Sequence, residues 1–125
     1  MAIGLIPHYS VVFALEELTN EEFLIVIRQV ADKLDWKVTK SDLTGMIAYT
    51  KFRKRSVNEK VQINIEDRLI TLKSESLGGQ FFDFGRNKRN TEKFIACYDE
   101  LRSSITADEL RVKTGELQEE LNSAN

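Results

Sequence analysis

Two stretches of the chain repeat apolar residues at helical spacing. The first, about residues 20 to 34, carries an apolar stripe made of Phe23, Val26, Ile27, Val30, Ala31 and Leu34. A capping box precedes this stripe, because Thr19 can accept from the amide of Glu22 while the Glu22 side chain reaches back. In the second, Asn90 or Thr91 is predicted to cap a helix whose stripe comprises Phe94, Cys97, Tyr98, Leu101 and Ile105. The pattern predicts two amphipathic helices that cover one core.

The rest of the pattern has the short period of strands. Residues 60–66 alternate most regularly, with Val61, Ile63 and Ile65 on one face. Asp67-Arg68 is a turn candidate after this run, although it lacks the glycine that such turns prefer. The first strand follows Pro7, is rich in β-branched and aromatic residues, and is predicted to lie at a sheet edge. In total, strands are predicted at residues 9–15, 36–39, 46–52, 60–66 and 69–76.

These elements predict an α+β fold with an antiparallel sheet of about four to five strands. Their order is strand, helix, four-strand meander, helix, and both helices are expected to pack on the sheet. Residues 1–105 form one predicted domain. A second capping box, Thr106 to Glu109, begins a last segment with few apolar residues and an internal glycine, Gly115. We interpret residues 106–125 as a peripheral helix or a linker.

The composition excludes several classes of protein. The chain has 125 residues, enough for one domain with a core of its own. Its 18 Lys and Arg against 20 Asp and Glu give a net charge of -2, which argues against nucleic acid as a partner. No apolar run approaches the roughly 18 residues of a membrane span, and no secretory signal is recognisable. With a single cysteine, the chain fits a reducing compartment, and we expect a soluble, cytoplasmic protein.

The sequence contains no set of residues that predicts catalysis. Asp83-Phe84-Gly85 matches the metal-binding triplet of protein kinases, but the other kinase motifs are missing. The glycines match no phosphate-loop spacing. Cys97 lies on an apolar stripe, which favours a structural thiol over a nucleophile, and His8 has no partner nominated by spacing. We therefore expect no enzyme, no cofactor and no metal site.

Two basic clusters are the candidate binding residues. The first comprises Arg86, Lys88 and Arg89, immediately before the predicted start of the second helix, and the second comprises Lys51, Arg53, Lys54 and Arg55. A helix N-terminus favours an anion. If both clusters lie at one edge of the sheet, they form a patch for phosphate, nucleic acid or an anionic membrane, with Phe52 and Phe81 available for stacking or insertion. The alternative is that both are ordinary solvated loops and that the phenylalanines belong to the core.

Three short motifs resemble a domain from known membrane proteins. They are LDWKV at residues 34–38, GMIAYT at 45–50 and FDFGRNKRN at 82–90. Together they resemble the soluble N-terminal domain of bacterial rhomboid-family intramembrane serine proteases, over roughly residues 8–103. The resemblance implies a non-catalytic cytoplasmic module beside a membrane-embedded protease, whose serine and histidine would lie in membrane helices outside this sequence. Two functions are thus expected: a protein-interaction or regulatory module, or an anion-binding module that uses the two basic clusters.

Overall fold

The computed structural model describes residues 8–50, 59–77 and 85–123. Within these ranges the chain forms five strands and three helices, which are, in order, β1 (His8–Ala14), α1 (Asn20–Lys33), β2 (Lys37–Asp42), β3 (Gly45–Tyr49), β4 (Glu59–Glu66), β5 (Leu69–Ser76), α2 (Arg86–Ser104) and α3 (Ala107–Ser123). The predicted α+β class and order of elements are confirmed, and the segment that was interpreted as a peripheral helix or a linker forms the helix α3.

The strands form one antiparallel sheet in the order β1-β5-β4-β3-β2. β1 lies at an edge, as its composition predicts. Asp67 and Arg68 form the β4–β5 turn with positive φ angles of 49° and 66°, the backbone that two-residue hairpin turns favour. Arg68 also ties down the end of β1, because its carbonyl accepts from the Leu15 amide at 2.8 Å and its guanidinium donates to the Leu15 carbonyl at 3.0 Å.

The hydrophobic core lies on one face of the sheet. α1 contacts β2 and β3, α2 contacts β1 and β5, and both helices contribute to the same cluster of buried residues. The inward positions of the central strands are Val61, Ile63 and Ile65 on β4 and Ile70 and Leu72 on β5, all of which are buried. The sheet is therefore covered by helices on one side, and the predicted stripes of both helices face it.

Gly45 permits the close pairing of β3 with β4. Its φ is +144°, and a Cβ placed there would lie 1.9 Å from the Ile63 carbonyl oxygen. Only glycine fits this position without displacing the neighbouring backbone. Just before it, Asp42 ends β2 and accepts from the Thr44 amide at 2.8 Å. The bonds from the Thr44 hydroxyl and amide lower the pKa of Asp42.

The two predicted helices differ in how well their starts were predicted. α1 begins as predicted: the Thr19 side chain accepts from the Glu22 amide at 3.0 Å, and Glu22 accepts from the Thr19 amide at 2.8 Å. The predicted cap of α2 at Asn90 or Thr91 is wrong, since α2 begins at Arg86 with Gly85 as its N-cap. Gly85 has a φ of 78° and no side-chain capping bond. Arg86, Lys88 and Arg89 therefore lie inside the first turn of α2, not before it.

The C-terminal segment is helical and packs on α1. Leu110 and Leu117 are buried and belong to the core cluster, which the sparse apolar pattern of this segment did not predict. Arg28 on α1 and Glu120 on α3 form an ion pair at 2.6 Å. The Thr106 side chain accepts from the Glu109 amide at 3.1 Å, so the predicted cap of α3 is in place.

Candidate anion-binding end of the domain

One end of the core is polar. Where β4 begins and β5 ends, the inward positions are Glu59, Ser74 and Ser76, at most 5% exposed, and Glu59 is paired in register with Ser76. Asn87 and Asn90 of α2 cover these residues and are also buried. We call this group of five residues the polar end. Burying so many polar atoms is costly unless they bond to one another, so their partners determine what the polar end does.

The side chains of the polar end are hydrogen-bonded across the helix–sheet interface. Asn87 Oδ1 accepts from Ser74 Oγ at 2.7 Å, and Asn87 Nδ2 donates to Ser76 Oγ at 3.0 Å. Asn90 Nδ2 donates to Glu59 Oε1 at 3.1 Å and to Ser74 Oγ at 3.2 Å. These bonds attach the first turn of α2 to the ends of the two central strands, and so they fix the direction in which α2 begins.

Thr50 joins β3 and β4 at the same end. Its amide donates to the Glu59 carbonyl at 3.0 Å, and its hydroxyl accepts from the Glu59 amide at 3.0 Å. The Thr50 hydroxyl also lies 3.4 Å from Glu59 Oε1. Thr50 is therefore bonded to Glu59, a member of the polar end. The candidate residues Lys51, Arg53, Lys54 and Arg55 and both phenylalanines, Phe52 and Phe81, lie outside the described residues, so the predicted joining of the two basic clusters stays a prediction.

The other basic cluster lies on the first turn of α2. Lys88 and Arg89 are exposed and Arg86 is half-buried. Helical spacing places Arg86, Arg89 and Lys93 on one side of α2. Within residues 8–50, 59–77 and 85–123, Lys88, Arg89 and Lys93 form no ion pair. Their positive charges are therefore not neutralised by the described part of the chain.

The first turn of α2 is positively charged, whereas the first turns of α1 and α3 are negatively charged. Glu21 and Glu22 occupy the first turn of α1, and Asp108 and Glu109 occupy that of α3, whereas the first turn of α2 has no acidic residue. The N-terminus of a helix carries a partial positive charge, so cations there are electrostatically unfavourable. This end of α2 combines a positive helix dipole, an N-cap without a side-chain bond, and three cationic side chains.

The anchoring residues Asn87 and Asn90 were not identified from sequence. A signal was present, because Asn87, Asn90 and Thr91 continue the spacing of Phe94 and the stripe behind it. Ser74 and Ser76 likewise continue the alternation of β5 beyond Leu72. The periodicity extends through these polar residues, whereas the predicted stripes comprise apolar residues alone.

The structure also shows where the remaining candidate side chains, Cys97 and His8, lie. Cys97 is buried in the hydrophobic core, and burial raises the pKa of its thiol. Burial also raises the pKa of Tyr98, which packs against Phe13 and Phe23. His8 is exposed at the start of β1. In the described ranges, no three His, Cys, Asp or Glu residues are grouped so that they could hold a metal ion.

No protein-family model matches the chain, and no curated protein matches it. The resemblance to the rhomboid-associated domain therefore stays a hypothesis. None of α1, α2 and α3, the helices of the described part of the chain, is long and apolar enough to cross a lipid bilayer.

Proposed function

We propose that this protein is a non-catalytic interaction module that docks onto an anionic membrane surface through the first turn of α2. Lys88 and Arg89 would contact phosphate-bearing headgroups directly, with Arg86 beside them. The observation that carries this proposal is the group of exposed cations in that turn, set on an N-terminus with neither an acidic residue nor a side-chain cap. An anion at this position would be attracted by the side chains and by the helix dipole together.

The anchoring of α2 supports the proposal. Asn87 and Asn90 hold the first turn through the buried bonds to Ser74, Ser76 and Glu59. A fixed turn presents its cations without a large loss of backbone entropy on binding, which favours affinity. The polar end thus supplies stability to a turn whose own charges oppose helix formation.

The same bonds favour a role in positioning over a role in catalysis. Asn90 and Thr50 both contact Glu59 Oε1, and the two serine hydroxyls bond to Asn87, so these side chains are engaged with one another. The resemblance in sequence, if it reflects common ancestry, would place the module at the inner face of a membrane beside a membrane-embedded protease. That partner is part of the proposal.

Sedimentation with lipid vesicles tests the proposal. The full chain is mixed with vesicles of phosphatidylcholine alone or of phosphatidylcholine with phosphatidylserine, at low and at physiological salt. Each surface cation contributes about 1 kcal/mol to binding an anionic membrane, so Lys88→Ser/Arg89→Ser is expected to weaken it roughly 30-fold. Binding should also fall as salt rises, because these charges are exposed.

A matched variant controls for net charge. Lys37→Ser/Lys113→Ser removes the same charge from exposed positions on β2 and α3, and it should retain most of the binding. Equal losses in both variants, or absence of binding to anionic vesicles by the native protein, would refute docking through α2. A labelled oligonucleotide in place of vesicles distinguishes headgroups from nucleic-acid phosphates, and preferential binding of the oligonucleotide would also refute the proposal.

A further inference from the structure

The two edges of the sheet differ in their protection against pairing with another strand. β2 carries two lysines, Lys37 and Lys40, and its register with β3 shifts between Val38 and Lys40. Charged residues and bulges are the features that keep edge strands from pairing. β1 has neither: its seven residues, HYSVVFA, contain no Asp, Glu, Lys, Arg, Pro or Gly, and they pair with β5 in an unbroken register.

The outer edge of β1 is accessible in the described structure. No strand among residues 8–50, 59–77 and 85–123 pairs with that edge, since β5 is the neighbour of β1 on its inner side. Val12, on the face of the sheet away from the helices, is 63% exposed, and Tyr9, on the helix side, is 36% exposed. A regular, uncharged edge with exposed apolar side chains is a template for strand addition.

We propose that β1 pairs antiparallel with β1 of a second copy of this chain, so that two five-stranded sheets become one continuous sheet across a two-fold axis at Val11. The strand is complementary to itself in this register. Tyr9 of each copy lies opposite Phe13 of the other, and these side chains share the helix-covered face because they register with Ser74 and Ile70 of β5. Ser10 of each copy lies opposite Val12 of the other on the open face. No pair opposes like charges.

The position of α2 adds to this interface. α2 contacts both β1 and β5, so the two copies of α2 would run side by side above the joined strands, roughly 10 Å apart, a distance at which helices pack. Ile95 lies at the middle of α2, as Val11 lies at the middle of β1. Ile95 and Arg102 are seven residues apart and share a side of the helix. Arg102 donates to the carboxylate of Glu17, just beyond β1, at 2.6 Å. This side of α2 therefore faces the edge of the sheet that β1 forms.

β2 is a poorer candidate for the same contact. Self-pairing of β2 would bring lysines of two copies together at a strand that is already bulged, and like charges on paired strands are destabilising. The second copy is favoured over an unrelated peptide because the complementary positions are all supplied by β1 itself. The proposed dimer contact involves neither the first turn of α2 nor its proposed ligand.

Sedimentation equilibrium of the full chain, from micromolar to millimolar concentration, tests the inference. The native protein is expected to form a concentration-dependent dimer, and a monomer throughout this range would overturn the inference. Ser10→Lys/Val12→Lys places lysine opposite lysine twice and is expected to weaken the dimer roughly tenfold or more. Both positions are on the open face of the sheet, and circular dichroism verifies that the variant is folded.

A charge-swapped variant makes the test specific for the register. Ser10→Glu/Val12→Lys places glutamate opposite lysine twice, so it should restore dimerisation relative to the two-lysine variant. A control at the opposite edge, Thr39→Lys/Leu43→Lys, should dimerise like the native protein. The proposed register would be overturned if the Glu/Lys variant were as weak as the two-lysine variant, and the proposed edge if the control were equally weakened.

Discussion

The two ends of the helix–sheet core share β4, β5 and α2 but use different interactions. The apolar end consists of Phe13, Phe23, Ile65, Ile70 and Tyr98, with the rings of Phe23 and Tyr98 5.5 Å apart and those of Phe13 and Phe23 6.4 Å apart. The polar end is held by directional hydrogen bonds between asparagine, serine and glutamate side chains. Apolar packing tolerates some rearrangement, whereas buried polar groups require specific partners.

The helix starts follow the same division. At the apolar end, α1 begins with a complete capping box and two glutamates in its first turn. At the polar end, α2 begins with glycine as its N-cap, which makes no side-chain capping bond, and with three cations in its first turn. The first arrangement is favourable for helix formation locally, whereas the second is locally unfavourable and depends on contacts with the sheet. This difference suggests that the apolar end maintains the fold, while the polar end holds a locally unfavourable surface that is suited to binding.

The largest expected effect comes from emptying the apolar end. Phe23→Ala removes a fully buried ring that packs on Phe13 and Tyr98, and it should lower the free energy of unfolding by about 3–5 kcal/mol. Urea titration followed by circular dichroism measures this change. Leu69→Ala, at a position that is 51% exposed on the open face, is the control and should change stability by no more than about 0.5 kcal/mol. A loss at Phe23 smaller than that at Asn87 would contradict the assignment of the two ends.

An intermediate effect is expected from breaking the polar end. Asn87→Ala removes the partner of two buried serine hydroxyls, and it should lower the free energy of unfolding by about 1–3 kcal/mol. The triple variant Ser74→Ala/Ser76→Ala/Asn87→Leu removes both serine hydroxyls as well, so urea titration should show that it regains part of this loss. The recovery should be incomplete because Asn90 Nδ2 loses its bond to Ser74 Oγ. Asn90 retains its bond to Glu59 in both variants. A triple variant less stable than Asn87→Ala would show that burial of the hydroxyls is not the cause.

The smallest expected effect has the opposite sign. Arg89→Glu places an acidic residue in the first turn of α2 and pairs it with Lys93 one turn later, so it should raise the free energy of unfolding by about 0.3–1 kcal/mol. The reverse change in α1, Glu21→Arg, should lower it by a similar amount. Arg89→Glu should also reduce sedimentation with phosphatidylserine vesicles. An Arg89→Glu protein that is less stable than the native one would contradict the view that the basic turn opposes helix formation.

Local pattern determined much of the structure. Alternation along β4 and β5 gave the hairpin, even without glycine in its turn, because the burial of one face imposes a period of two. The capping box gave the start of α1 because its hydrogen bonds form between residues three positions apart. The α+β class and the edge position of β1 were also predictable, because both follow from residue patterns within short segments.

Tertiary structure decided the features that depend on distant partners. The pairing of β1 with β5 was not predictable. Neither was the burial of α3 through Leu110 and Leu117, because two leucines in a polar helix are buried only if α1 packs against them. The predicted start of α2 was wrong because asparagine is a common N-cap residue. Asn90 instead lies inside α2 and bonds to Glu59, 31 positions away in sequence. The sequence by itself thus determined the local structure of residues whose interaction partners lie within a few positions. The sheet decided where polar residues are buried, because a buried amide has the lowest free energy where its hydrogen bonds are satisfied.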